Sequence, residues 1–168
     1  MQTIDTPNKQ IGRGKFKPEI IVLHRGEGPF NSIISWFQNP KSQVSAHFVI
    51  SKDGYIVNMV DTNDTAWHAG KTINAKKEVL KEGVNPNQYT IGIELEGYAI
   101  DYPTINQALA TAATIKQLSA KYGIPLNNQH VIPHWWINGA KTCPGVKLDI
   151  DALIYMAKIL FPTKDLNK

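Results

Sequence analysis

The sequence predicts an α/β domain, in which strands and helices alternate along the chain around a mostly buried sheet. Two segments, residues 19–24 and 89–97, are short apolar runs rich in β-branched residues, which is typical of buried strands. Residues 104–123 instead carry apolar side chains at helical spacing. The chain has 168 residues, of which 42% are hydrophobic and 19% charged, so we expect a single domain over residues 1–168.

The start of the chain predicts a lead-in, a strand and a short helix. Residues 1–18 are polar and contain two prolines, so we expect an irregular segment there. Residues 19–24 (EIIVLH) predict a buried strand, which is followed by glycines and a proline. Residues 31–39 (NSIISWFQN) predict an amphipathic helix, with Asn31 as the candidate cap and Pro40 as the stop.

The middle of the chain predicts a hairpin and a long loop. Residues 45–51 and 55–60 are apolar segments on either side of the turn sequence KDG. Residues 61–88 are polar and show no regular pattern. Because long loops in compact domains are often functional, this loop is a candidate wall of a cleft. Residues 89–97 (YTIGIELEG) then predict the next strand.

The last part of the chain predicts two helices with an extended segment between them. Thr104 and Gln107 have the spacing of a capping box, and Gly123 is placed to end this helix. Residues 127–134 (NNQHVIPH) predict a short strand. Residues 148–161 predict a terminal helix, which a proline follows.

Composition and charge exclude several classes of function. The net charge is +4 and the lysines are scattered without an arginine-rich run, so no nucleic acid partner is expected. No apolar run of about 18 residues is present, so we expect no membrane insertion. The start of the chain lacks the apolar core of a signal peptide, so we expect synthesis in the cytoplasm. The single cysteine cannot form an internal disulfide.

Two histidines and the only cysteine have the residue types of a metal site. His24 ends a predicted strand, where sites gather in α/β sheets, and His134 ends an extended segment nine residues before Cys143. Two imidazoles and a thiolate with one open position are typical of catalytic zinc, which lowers the pKa of bound water toward about 7. Spacing alone leaves open that each is a structural residue, since no compact motif such as H-E-x-x-H is present.

A strand glutamate and a loop lysine are candidates for acid–base and oxyanion chemistry. Alternation along residues 89–97 places Glu94 and Glu96 on the face opposite the apolar residues. A carboxylate near zinc-bound water is the usual general base for hydrolysis, and a half-exposed strand face is the alternative. Lys141 lies two residues before Cys143 and is placed either to stabilise an oxyanion or to be solvated.

Five segments occur along the chain in a fixed order. They are IVLH, WFQNPKSQVSAHFVISKDGYIVNMVD, AWHAG, YTIGIELEG and AKTCPG. Together they resemble the blocks of the zinc-dependent N-acetylmuramoyl-L-alanine amidases, a family of phage lysins, wall-recycling amidases and animal peptidoglycan recognition proteins. The resemblance covers about residues 20–145. It implies a central mixed sheet flanked by helices, with one Zn²⁺ ion in a surface groove.

The resemblance also implies a reaction and the residues for it. The reaction is hydrolysis of the amide between the lactyl group of N-acetylmuramic acid and L-alanine. The implied metal ligands are His24, His134 and Cys143. Lys141 is implied as catalytic, and Glu94 as the acid/base of the wall-recycling branch. Another branch uses a tyrosine at the position where this chain has Ala46, so this chain would rely on the glutamate.

The chain departs from the family pattern in three places. Arg25 stands where the family often has a histidine or a small polar residue, and is expected to alter the groove floor. Cys143 follows His134 by nine positions, between the common family spacings, so we expect a loop of different length. His130 is a rival ligand four residues upstream, although the context VIPHWW favours His134.

Further histidines and tryptophans are candidates for the substrate groove. His47 and His68 fall in the SAHF and AWHAG blocks, which implies support of the ligands or lining of the groove. Trp67, Trp135 and Trp136 offer flat faces to sugar rings or peptide stems, with core packing as the alternative. Trp135 and Trp136 are adjacent, so they point to different sides of an extended chain.

The predicted function is that of a monomeric peptidoglycan hydrolase of the phage-lysin type. Its partner would be peptidoglycan, which the basic charge favours, and a separate pore-forming protein would release it to the wall. A cytoplasmic recycling amidase that acts on soluble muropeptides is the first alternative. A peptidoglycan-binding module without catalysis and a zinc hydrolase of another amide are the others.

Overall fold

A central sheet organises the protein, and the computed structural model describes residues 1–76, 78 and 80–160. In chain order the strands are β1 (Gln2–Thr3), β2 (Lys9–Gln10), β3 (Ile20–Arg25), β4 (Phe48–Ile50), β5 (Ile56–Asn58), β6 (Thr65–Ala66), β7 (Thr90–Leu95) and β8 (Val131–Pro133). The α-helices of the described residues are α1 (Phe30–Gln38), α2 (Ile105–Tyr122) and α3 (Ile150–Ile159). None of them is both long and apolar enough to cross a membrane.

Six strands form one mixed sheet in the order β1-β5-β4-β7-β3-β8. The β4–β5 hairpin is antiparallel, and the other neighbours in this sheet are parallel. β2 and β6 form a separate antiparallel pair. The predicted α/β class with a central mixed sheet is therefore confirmed.

Helices cover both faces of the sheet. On one face, α2 and α3 pack against alternate residues of the central strands, including Ile91, Ile93 and Leu95 of β7. On the other face, α1 packs against the hairpin through Ile33 and Phe37. Since β3 and β7 lie between these layers, their side chains point alternately into the α2–α3 core and toward the opposite side.

The helix ends follow local chemistry, with two departures from expectation. α1 begins after Pro29 instead of after an Asn31 cap, because the Glu96 side chain accepts a hydrogen bond from the Phe30 N–H at 3.1 Å. Thr104 caps α2 by accepting from the Gln107 N–H at 3.1 Å, as predicted. The Gln107 side chain, however, donates to main-chain oxygens in the core, so the reciprocal half of the capping box is not formed.

The terminal helix and the N-terminal lead-in also differ from expectation. α3 begins later than residue 148, because Asp149 is its cap and accepts from the Ala152 N–H at 2.9 Å. The predicted end at residue 161 lies outside the described residues. The lead-in is more ordered than expected, since β1 extends the sheet along β5 and β2 pairs with β6 in the long loop. An edge strand offers unpaired main-chain groups, which explains why a polar segment adopts strand structure there.

Candidate metal centre and groove

Three parallel strands bring the candidate ligands to one edge of the sheet. His24 in β3 is the register partner of Glu94 in β7, so both side chains leave the sheet on the same face. His134 directly follows β8, whose Pro133 is the register partner of Leu23. The carboxyl ends of β3, β7 and β8 therefore converge, which is where α/β sheets build their sites.

His24, His134 and Cys143 form a compact cluster at this edge. One ligand atom from each lies within 4.8 Å of the other two. The His24 Nδ1 is 3.7 Å from the Cys143 Sγ, and the rings of His24 and His134 are 4.6 Å apart. His130 lies outside the cluster and contacts Asn127. The geometry thus brings together the three residues that the sequence singled out.

The loop that carries Cys143 is anchored by main-chain contacts. The Arg25 N–H donates to the Cys143 Sγ at 3.3 Å, and the Trp135 N–H donates to the Cys143 carbonyl at 3.1 Å. Gly145 has a φ of +86°, and a Cβ there would lie 2.0 Å from the Ala99 carbonyl oxygen. Glycine is therefore required two residues after the cysteine.

Both imidazoles are held by contacts at their Nε2 atoms. The His24 Nε2 lies 3.1 Å from the His68 Nδ1, and the His134 Nε2 lies 3.1 Å from the Ala69 carbonyl oxygen. Each ring therefore keeps its Nδ1 free to face the cluster. Such outer contacts orient the ligands of protein metal sites.

Burial controls the protonation of the cluster. It raises the pKa of the Cys143 thiol to about 12, and the Glu94 carboxyl adds to this shift. It lowers the pKa of His24 well below its usual value, with His134 and His68 contributing, and it lowers the pKa of His134. Two neutral imidazoles and a thiol are a donor set that suits Zn²⁺, and zinc deprotonates a coordinating thiol. The residues present therefore fit the metal.

A groove of about 630 Å³ opens over the cluster. Glu94 and Lys141 both line it, together with Trp67. The Glu94 Oε2 is buried and has no hydrogen-bond partner among the described residues. Burial raises the pKa of Glu94 to about 8, and Glu27 on the groove rim adds to the shift. An unpaired carboxyl beside the candidate ligands is poised for proton transfer.

Other candidate residues lie beside or beneath the groove. The Arg25 side chain is directed toward the start of α2, where it donates to Gln107 and to the Asp101 carbonyl, so mainly its main chain borders the cluster. Trp135 lines a different pocket, and the Lys76 Nζ lies 4.5 Å from the centre of its ring. His47 is buried below the groove, and its Nδ1 accepts from the Gly92 N–H at 3.0 Å.

Three residues near the site were not singled out from the sequence. Arg13 is buried, donates to the carbonyls of Thr62 and Thr90, and lies 2.7 Å from the His47 Nε2. Trp36 on α1 lines the groove although it is 55% exposed. Glu27 has a φ of +51°, which is rare for residues other than glycine. An exposed tryptophan on the polar side of an amphipathic helix was the one signal available.

The fold and the site together define an α/β protein with a candidate metal-dependent hydrolytic centre. A family model described as N-acetylmuramoyl-L-alanine amidase matches residues 14–146. The chain belongs to this family, which confirms the resemblance found in its five sequence segments.

Characterised relatives include two amidases. N-acetylmuramoyl-L-alanine amidase A of Achromobacter lyticus is 40% identical over 107 residues, which cover 62% of this chain and 52% of that protein. The 1,6-anhydro-N-acetylmuramyl-L-alanine amidase AmpD of Citrobacter freundii is 34% identical over 111 residues, covering 64% of this chain and 54% of that protein. The chain thus spans about half the length of the curated relatives it matches.

Solved structures extend the likeness to almost the whole chain. A crystal structure of AmpD has a TM-score of 0.74 and 27% identity, and the match covers 91% of this chain and 93% of that one. A mutant endolysin from Bacillus subtilis has a TM-score of 0.69 and 25% identity, with 94% and 99% covered. Both branches that the sequence suggested are therefore represented among its structural neighbours.

Proposed function

We propose that this protein is a zinc-dependent N-acetylmuramoyl-L-alanine amidase. The proposal rests on one observation, the cluster of His24, His134 and Cys143 beside the buried carboxyl of Glu94. Family membership supports the bond that is cleaved, which joins the lactyl group of N-acetylmuramic acid to L-alanine. The substrate would lie in the groove, with its scissile amide above the cluster.

The three ligands would hold Zn²⁺, with the Nδ1 of each imidazole and the thiolate directed at it. When bound, zinc acts as a Lewis acid that acidifies water and polarises a carbonyl. Because His24 and His134 are neutral at pH 7, no proton has to leave either ring before binding. Only the Cys143 thiol must release one.

Glu94 carries the proton transfer in this proposal. Its carboxylate accepts a proton from the attacking water and then delivers that proton to the departing amine of L-alanine. A pKa that burial raises to about 8 allows both forms near neutral pH, and a nearby cation would favour the carboxylate. Lys141, on the groove wall, donates to the scissile carbonyl oxygen as negative charge develops there.

Two substrates fit this activity, and each has one observation in its favour. Intact wall, the substrate of a phage lysin, is favoured by the net charge of +4. A soluble anhydro-muropeptide is favoured by the 34% identity to an enzyme named for that substrate. Trp36 and Trp67 on the groove walls offer faces to a sugar ring in either case.

The test is a digestion of purified sacculi and of a soluble anhydro-muropeptide by the zinc-loaded chain, followed by mass spectrometry. We expect free peptides that begin with L-alanine, about one zinc per chain, and loss of release on chelation. Release from sacculi supports the lysin, and release only from the soluble substrate supports the recycling enzyme. Cleavage of a different bond, or zinc binding without any cleavage, would overturn the proposal.

A further inference from the structure

A line of buried hydrogen bonds leads from the long loop to the candidate ligand His24. The Thr90 Oγ1 donates to the Pro86 carbonyl at 2.7 Å and lies 3.1 Å from the His68 Nε2. On the other side of the ring, the His68 Nδ1 lies 3.1 Å from the His24 Nε2. Thr90, His68 and His24 are all buried.

The proton positions along this line follow from its first member. A carbonyl oxygen only accepts, so the single hydroxyl proton of Thr90 is used on Pro86. Thr90 must then accept from the Nε2–H of His68, which leaves the His68 Nδ1 as an acceptor in the neutral ring. His24 therefore donates from Nε2, and its lone pair lies on the Nδ1 that faces Cys143.

The residue next to His68 supports the other imidazole. The Ala69 carbonyl is within 3.1 Å of the His134 Nε2, which can only be a donor to it. The main-chain N–H groups of His68 and Ala69 both donate to the Asn87 side-chain oxygen, at 3.1 and 2.8 Å. The AWHAG segment thus contacts both candidate ligands and is itself fixed by Asn87.

Close packing keeps the His68 ring in place. A Cβ on Gly92 would lie 2.5 Å from the His68 Cγ, so the ring sits directly against the strand backbone. A side chain at position 92 would displace it. The backbone of β7 at Gly92 therefore limits movement of the ring on this side.

We propose that His68, held by Thr90, is a positioning residue that fixes His24 in the tautomer whose Nδ1 lone pair faces the metal position. The role in metal binding rests on the proposed zinc site, but the tautomer of His24 can be measured in the metal-free protein. Contacts of this kind affect metal affinity by about 10–100-fold.

The decisive variant is Thr90→Val, which keeps the shape of the side chain and removes the hydroxyl. The His68 Nε2–H then loses its acceptor, which favours the His68 tautomer with the proton on Nδ1. The His68 Nδ1–H would donate to the His24 Nε2, so His24 would have to carry its own proton on Nδ1. Nitrogen NMR of the imidazoles in the metal-free chain, near pH 7.5, measures this directly. We expect Nε2–H on His24 in the parent and a shift toward Nδ1–H in the variant.

Matched variants separate the tautomer from general stability. Thr111→Val removes another buried hydroxyl, which donates to the Gln107 carbonyl at 2.7 Å on the opposite face of the sheet. Thr90→Ser keeps a hydroxyl at this position and removes only the methyl group. Competition with a chromophoric chelator should show zinc binding about 10–100-fold weaker in Thr90→Val, and near-parent binding in Thr111→Val and Thr90→Ser.

Two outcomes would overturn the proposal. One is a folded Thr90→Val protein whose His24 keeps Nε2–H and whose zinc affinity is within twofold of the parent. The other is an equal loss of affinity in Thr90→Val and Thr111→Val, which would indicate a general effect of stability. If the parent binds no zinc, the proposed function fails, and the NMR comparison still decides whether the hydrogen-bond line sets the tautomer.

Discussion

One face of strand β7 packs in the apolar core, and the other borders the groove. Ile91, Ile93 and Leu95 are fully buried in the apolar core under α2 and α3. Glu94, on the other face, lines the groove, and its Oε2 has no hydrogen-bond partner in the part of the chain that the structure describes. One six-residue strand therefore contributes alternate side chains to the apolar core and to the candidate site.

The difference shows how a small domain carries a polar site without losing its stability. Burying a carboxyl and several imidazoles is unfavourable, because each loses water. The buried aliphatic residues of the opposite face offset this cost, since burial of one such side chain contributes about 1.5–3 kcal/mol. Substitutions on the two faces should consequently separate activity from stability.

Glu94→Gln on the groove face should give the largest effect. Glutamine keeps the shape but cannot carry the proton, so turnover should fall by about 10²–10⁴-fold while zinc content is unchanged. Glu96→Gln is the matched control, because both Glu96 carboxylate oxygens already accept from main-chain N–H groups, those of Phe30 and Lys52, and the proposed mechanism gives Glu96 no role. Turnover of Glu94→Gln within threefold of the parent would remove Glu94 from the mechanism.

Ile93→Ala on the apolar face should show the opposite behaviour. The side chain is fully buried, so its truncation should lower the free energy of unfolding by about 2–5 kcal/mol. Turnover per folded molecule should stay near the parent value. Ile93→Val should cost only about 0.5–1.5 kcal/mol. Urea denaturation and a turnover assay below the transition measure both quantities, and a large loss of turnover at full folding would contradict the separation of the faces.

The apolar face was predictable from the sequence, and so was part of the groove face. Alternation in β7 and helical spacing in α2 are local patterns, so both elements agree with expectation to within a few residues. His24 and Cys143 are 119 positions apart, so residue types and a strand-end position suggested the pair, and the family resemblance strengthened it.

Contacts between distant polar segments could not be predicted. Arg13 lies in a lead-in without any periodic pattern, yet it is buried against carbonyls up to 77 residues away. The Gln107 side chain was expected to complete a capping box, and it instead bonds to core carbonyls and accepts from Arg25. Both depend on unpaired acceptors that exist only once the sheet has formed.

The stability of the metal-free protein should depend on pH through Glu94. Its pKa is raised from 4.5 to about 8 in the folded state, so the fold retains a proton that the unfolded chain releases. Stability from this group is therefore present at pH 4.5 and is lost as the pH rises toward 8. Glu94→Gln removes this loss, and we expect its advantage over the parent to grow by about 3–4 kcal/mol between pH 5 and pH 8.

The difference in free energy of unfolding between Glu94→Gln and the parent, taken at each pH, isolates the effect of Glu94. The buried His24, His47 and His68 have lowered pKa values, so they contribute stability that is lost as the pH falls through their unfolded values near 6.5. The histidine contribution is lost as the pH falls, whereas that of Glu94 is lost as the pH rises. Because the parent and Glu94→Gln share these histidines, their contribution cancels in the difference. Urea denaturation in the presence of a chelator gives the difference, and a difference that does not change with pH would contradict the raised pKa of Glu94.

Thr104→Ala at the start of α2 should give the smallest effect and tests whether the faces are coupled. Loss of the cap should lower the free energy of unfolding by about 1 kcal/mol, and Thr104→Ser should restore most of it. The Gln107 side chain in the first turn accepts from Arg25, whose main-chain N–H contacts Cys143. We expect the zinc affinity of Thr104→Ala to be unchanged, because the strands hold the ligands independently of the start of α2. A weaker zinc affinity together with a less stable fold would indicate instead that α2 positions the site through Arg25.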